Sequence, residues 1–224
     1  MTGCLYCIDN DIIKKLATFE LFDETIKLFE ADATGIIILA TAKYKFKRDF
    51  EKLGKGRLRQ PEARLVNYER TIELVETLPR IDQAEVDNEL FERLSEFEGI
   101  DAGEAILTTY VAQVLQKDDS GEAFILTGDK RYLKALAKVD FPELQALFKN
   151  RFWCLEQLVL RDIREYGFES VRGKIVPVRD CDKACKAVFG SGALSTEENV
   201  LVTISGYIET LRAETGNLLD LYGI

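Results

Sequence analysis

The chain has 224 residues, 46% hydrophobic and 31% charged, an ordinary balance for one large globular domain or a domain with an appendage. It contains no histidine, which excludes Ser-His-Asp and Cys-His catalysis, and its net charge of −9 argues against nucleic acid as a partner of the chain as a whole. The five cysteines read as free thiols in a reducing compartment; with no secretory signal and no bilayer-spanning apolar run, a cytoplasmic protein without a membrane partner is expected.

Residues 4–8, Cys-Leu-Tyr-Cys-Ile, form a short apolar run ended by Asp9, the pattern of a buried first strand. Asn10 is placed to cap the following helix, whose inward residues are Ile12, Ile13 and Leu16, and Asp11 complements its positive end. Phe22, Ile26 and Phe29 recur at helical spacing over residues 22–30. Ile36-Ile37-Ile38-Leu39 reads as a second buried strand, parallel to the first because a helix separates them.

A basic helix is expected over residues 41–53, broken by Gly54 and Gly56 into the loop Lys55-Gly56-Arg57-Leu58-Arg59. Between Lys43 and Arg70 ten basic residues stand against four acids, so this window carries +6 and the remainder of the chain −15. Such asymmetry is what nucleic-acid proteins show at the level of a domain, although a solvated helical surface has the same composition. Lys43, Arg48, Arg57 and Arg59 are the candidates for contacts to a phosphate backbone. Pro61 suits the first turn of a helix with Leu65, Tyr68, Ile72, Val75 and Leu78 on one face, and Pro79 ends it. Residues 83–97 read as one acidic helix with Val86, Leu90, Leu94 and Phe97 inward, stopped by Gly99.

Next comes the stretch Gly99-Ile100-Asp101-Ala102-Gly103-Glu104-Ala105-Ile106, in which Glu104 opens an apolar helix. Residues 123–127 form a strand that ends in Thr127-Gly128-Asp129, followed by a helix over 129–137 and another near Pro142. Arg151-Phe152-Trp153-Cys154-Leu155 looks like the last strand. Alternating strands and helices up to this point predict an α/β domain with a parallel sheet, over residues 1–154. Beyond it only helical patterns occur, at 158–166, 182–189 and 197–215, which predicts a helical C-terminal extension over 155–224.

Asp9, Glu104 and Asp129 fall where one element hands over to the next, and the carboxyl ends of parallel strands form the crevice in which α/β sheets bind ligands. Carboxylates there suit Mg²⁺ or Mn²⁺, hard ions that take oxygen ligands and keep several waters. In a chain without histidine, water activated by such an ion is the economical substitute for a general base. Each acid has a plainer reading as a helix cap, and Asp101 fits a cap better than it fits a ligand. Cys4 with Cys7, and Cys181 with Cys185, offer a rival zinc site, but residues 4 and 7 of a strand point to opposite faces.

Three segments, Cys7-Ile8-Asp9-Asn10-Asp11-Ile12-Ile13, Asp101-Ala102-Gly103-Glu104-Ala105 and Ile125-Leu126-Thr127-Gly128-Asp129-Lys130, together resemble the PIN-domain ribonuclease superfamily. The resemblance implies a Rossmann-like parallel sheet flanked by helices and a Mg²⁺- or Mn²⁺-dependent endoribonuclease that hydrolyses single-stranded or structured RNA. Carried over by position, Asp9, Glu104 and Asp129 are the metal-binding acids, with Asp101 able to complete the set; Thr127 supports the site, and Thr127 and Lys130 are expected to contact the substrate. Many members carry a further Glu on the helix after the second strand. Here that helix opens Thr41-Ala42-Lys43-Tyr44-Lys45-Phe46-Lys47, with Asp49 and Glu51 further along. Members often act as toxins, which implies an inhibitor partner or a homo-oligomer. Two alternatives stand beside this reading. Asp9-Asn10-Asp11 also fits the opening of haloacid-dehalogenase-like phosphatases, where the first Asp is a nucleophile and the second an acid or base. A degenerate nuclease fold serving as a partner-binding scaffold is the other.

Overall fold

The computed structural model describes residues 4–31, 33–57, 61–117 and 122–222. Five parallel strands form its sheet: β1 (Leu5–Ile8), β2 (Ile36–Leu39), β3 (Arg80–Ile81), β4 (Ala123–Thr127) and β5 (Phe152–Cys154). Between them run helices α1 (Asn10–Thr18), α2 (Phe22–Leu28), α3 (Ala42–Gly54), α4 (Tyr68–Thr77), α5 (Asn88–Ser95), α6 (Ala102–Lys117), α7 (Lys130–Leu136) and α8 (Pro142–Leu147). The chain finishes with α9 (Leu155–Tyr166), α10 (Phe168–Ile175), α11 (Lys183–Val188) and α12 (Glu197–Thr215). The fold is α/β, Rossmann-like, with helices flanking a parallel sheet. No described helix is long and apolar enough to cross a membrane.

The strand order is β3-β2-β1-β4-β5, all parallel, with Cys7 opposite Ile37 on one side and Ile125 on the other. From β1 the chain moves outward to β2 and β3, then returns to the far side of β1 for β4. The order therefore reverses between β1 and β4, the place where open α/β sheets bind ligands. Strands buried on both faces must be apolar throughout, and Cys7, Ile8, Ile38, Ile125 and Leu126 are inaccessible to solvent.

Several local expectations are corrected. β3 is a strand of two residues after Pro79, too short for any periodic signal; Ile38 and Ala40 donate to the carbonyls of Pro79 and Ile81 at 3.0 and 2.8 Å. Residues 83–97 are not one helix. Asp82 caps a short 3₁₀ turn and Asp87 caps α5, accepting from the Leu90 N–H at 2.8 Å, so two competing caps divide the segment. Pro61 opens a 3₁₀ turn rather than α4, which starts after the Asn67 cap. Asp9, not Asn10, holds the N-cap position of α1.

The C-terminal extension is not purely helical. Residues 217–220 return to the sheet and lie along β5, where the Phe152 N–H donates to Leu218 O at 3.0 Å and the Asp220 N–H to Phe152 O at 2.8 Å. The extension shares the core of the sheet, with Ile163, Phe189 and Ile208 buried in one cluster with Ile8 and Leu16. Asp162 accepts from the Thr25 hydroxyl at 2.8 Å, and Arg161 bonds Leu28 O while stacking over Phe29 and Trp153.

Candidate metal centre at the switch point of the sheet

The strand ends build the site. The Asp9 N–H continues the β1–β4 ladder by donating to Leu126 O at 2.9 Å, which fixes its backbone at the sheet edge. Although Asp9 occupies the N-cap of α1, its carboxylate makes no capping bond and remains directed to the cleft. Thr127, buried at the end of β4, joins two acids: its Oγ1 donates to Asp9 Oδ2 at 3.3 Å and accepts from the Asp129 N–H at 3.1 Å. Asp129 caps α7, with Oδ1 accepting from the N–H groups of Arg131 and Tyr132 at 2.8 and 3.2 Å. Capping uses one oxygen; among the described residues Oδ2 has only the exposed Arg131 guanidinium at 3.5 Å.

The third corner is the start of α6. Asp101 Oδ1 accepts from the Glu104 N–H at 2.9 Å, and Glu104 Oε2 accepts from the Asp101 N–H at 2.7 Å, a reciprocal cap. Beneath it the Thr108 hydroxyl donates to Glu104 O and lies 2.5 Å from the buried Tyr132 hydroxyl, tying α6 to α7. Asp9, Asp101, Glu104 and Asp129 then line one cleft of about 480 Å³, together with Asn10, Asp11, Lys45, Asp49, Gly128 and Cys181.

The electrostatics follow from crowding acids where water is scarce. Burial pushes Glu104, only 7% exposed, up to about 8, and the charges of Asp101, Asp129 and Asp9 add to the rise. Asp9 rises to about 6 for the same first reason; Asp11 and Asp101 raise it further and Lys45 opposes them. Lys45 is exposed and, among the described residues, makes no ion pair within 4 Å. The cleft therefore holds more negative charge than its own cations offset.

Carboxylate oxygens are the donors that a hard dication takes. Among the described residues no three of these groups stand close enough together to hold an ion already.

The other residues expected at the site divide. Thr127 lies beneath it as a support. Lys43 turns to α4, where it and Lys47 meet Glu76 at 3.2 and 2.7 Å. Lys130 bonds Glu156 and lies over the Tyr207 ring, facing the C-terminal helices rather than the cleft. Arg48 and Arg57 are exposed on and just beyond α3, and Arg59 lies outside the described residues. Two residues not singled out from the sequence as site residues, Lys45 and Asp49, enter the cleft wall. Buried Phe46 anchors α3, which places Lys45 and Asp49 toward the site; Glu51 faces out. Asp49 lines the cleft from the helix after β2, and its helical spacing from Phe46 was the sequence signal for that placement. Asp11 is committed elsewhere: burial alone would raise it, but Lys15 and Lys14 hold it below the usual carboxylate range. Cys7 and Cys185 are buried free thiols, and no described thiol is grouped for zinc. Compared with protein-family models, curated proteins and solved structures, the chain matches none.

Proposed function

We propose that this chain is a PIN-like, Mg²⁺- or Mn²⁺-dependent nuclease that hydrolyses RNA. The observation that carries the reading is the convergence of acids from the β1 end, the β4 end and the α6 start on one cleft at the switch point of the sheet. Asp9, Glu104 and Asp129 would hold the ion, with Asp101 orienting Glu104 through their reciprocal cap. When bound, such an ion supplies an activated water and stabilises charge on the phosphoryl group.

The chain's own residues do the rest. Thr127 keeps the Asp9 carboxylate facing the cleft by donating to Oδ2, and it fixes the Asp129 backbone with the same oxygen. Glu104 holds a proton near neutral pH until positive charge enters the cleft. Lys45, beside Asp9 and without an acid partner among the described residues, is placed to take a substrate phosphate, and Arg48 extends the positive surface along α3.

Cleavage of a mixed pool of RNA and single-stranded DNA with Mn²⁺, Mg²⁺ or EDTA tests the reading, with Asp129→Asn as the comparison. Asparagine keeps an oxygen to cap α7, so the variant is expected to fold and to lose metal-dependent cleavage. Absence of cleavage in the wild type, together with no stabilisation by Mn²⁺, would move the reading to a partner-binding scaffold.

A further inference from the structure

The C-terminal extension lines the cleft at Cys181 and is also tied to it through a buried lysine. Lys15, on α1 and only 8% exposed, places its ammonium between Asp11 and Asp182, the latter at 2.6 Å. Asp182 belongs to the extension: it follows the 3₁₀ turn Val176–Cys181 and caps α11, with Oδ1 accepting from the Cys185 N–H at 2.8 Å. Lys15 is held by its other oxygen, Oδ2. On the opposite side, Asp11 Oδ2 lies against the Cα of Gly128, so close that a Cβ there would sit 2.4 Å from that oxygen and 3.3 Å from Lys15 Nζ. Gly128 is the turn between Thr127 and Asp129, the two residues that set the β4 corner of the cleft.

We propose that Lys15 is a positioning residue through which the C-terminal extension, by way of Asp182 and Asp11, holds the Gly128 turn and thereby Asp129 in place. The extension is then part of the site rather than an appendage to it. Asp182 anchors Lys15 from outside the sheet, Lys15 fixes Asp11, and the Asp11 carboxylate fills the space that a side chain at position 128 would take. The relay's effect on catalysis rests on the nuclease reading, whereas its effect on the turn does not. A second lysine supplies the natural control. Lys174, also on the extension, bonds Glu20 O at 2.8 Å and pairs with Glu24 beside α2, away from the cleft.

The test compares Lys15→Met, Asp182→Asn and Lys174→Met in the full chain. Asp182→Asn retains an oxygen for the α11 cap and removes only the charge that faces Lys15. Amide hydrogen exchange in metal-free protein is read at Arg131 and Tyr132, whose N–H groups report the Asp129 cap. Exchange there should rise about tenfold or more in Lys15→Met and Asp182→Asn, given what loss of one partner of a buried pair costs, and stay at the wild-type rate in Lys174→Met. With Mn²⁺ and RNA, the two relay variants should need several-fold more ion for half-maximal stabilisation and lose kcat with KM unchanged. The double variant should match Lys15→Met alone. Unchanged exchange in both relay variants, or equal acceleration in Lys174→Met, overturns the relay. A wild type that neither binds Mn²⁺ nor cleaves overturns the nuclease reading, and the exchange result still decides the relay.

Discussion

Glu104→Gln should make the protein more stable and less active at once. The acid is 7% exposed and is held at about 8 by burial and by the charges of Asp101, Asp129 and Asp9. A carboxyl whose folded value lies above its ordinary 4.5 binds its proton more tightly when folded. The stabilisation from that proton is complete below about 4.5 and is lost as pH rises through about 8. At pH 7 about 2.5 pH units of that window have been crossed, which at 1.36 kcal/mol per unit amounts to about 3 kcal/mol. Glutamine avoids the loss and still offers an oxygen to the Asp101 N–H, so the reciprocal cap survives in part. For a chain of this size each kcal/mol moves Tm by roughly 2–4 °C. Unfolding in EDTA at pH 5, 7 and 9 should show the variant and wild type converging at pH 5 and the variant several degrees more stable at pH 7 and above. Addition of Mn²⁺ should then raise wild type alone, by about 2.7 kcal/mol at a hundredfold excess over Kd. A variant that melts below wild type at pH 9 in EDTA would refute the claim that crowded acids strain the ion-free cleft. Equal Mn²⁺ stabilisation of both would remove Glu104 from the ligand set.

Asp162 should dominate the acid side of the stability profile away from the cleft. Burial pushes it up to about 7, with only partial relief from the Thr25 hydroxyl, and among the described residues its Oδ1 has no hydrogen-bond partner. Stability should therefore decline between pH 3.8 and about 7, and Asp162→Asn should flatten that decline in urea titrations. Gly128→Ala should cost about 1–3 kcal/mol of stability, because its Cβ would meet Asp11 Oδ2 at 2.4 Å, and should weaken Mn²⁺ stabilisation as well. Neutralising Lys45, Arg48 and Lys52 to Gln should lower the log–log salt slope of RNA binding by about 0.7 per charge, whereas neutralising Lys43 and Lys47 should disturb α4 packing instead. Fluorescence anisotropy across a salt series separates the two.

The fold and the site were legible to different depths for physical reasons. β1, β2 and β4 announced themselves because a strand buried on both faces must be apolar throughout, and β1 and β4 were closed by a polar residue. β3 did not, since two residues bonded to one neighbour carry no period. The three principal acids were found by their position at element ends, and the structure places them around one cleft. Whether an acid caps or faces the cleft was invisible. Asp9 holds the cap position without using its carboxylate to cap, while Asp129 caps with one oxygen and leaves the other. Nor could a count of lysines in α3 tell that Glu76 claims Lys43 and Lys47; the partner lies on another helix, thirty residues on.

The acidic balance of the chain and a nucleic-acid substrate need not conflict. The acids that line the cleft, Asp9, Asp101, Glu104 and Asp129 with Asp11 and Asp49 beside them, repel a phosphate, and their mutual repulsion adds to the rise that burial gives Asp9 and Glu104. A dication reverses the local sign, so the same acids that exclude a phosphate from the empty cleft would recruit it once loaded. The basic surface of α3 then has a separate task. Lys45 stands at the rim beside Asp9, with Arg48 and Lys52 further along the exposed helix. This surface can engage a backbone whether or not the ion is present, while chemistry waits for the ion. Binding and cleavage are thereby divided between two surfaces of opposite charge. Net charge, summed over both, describes neither.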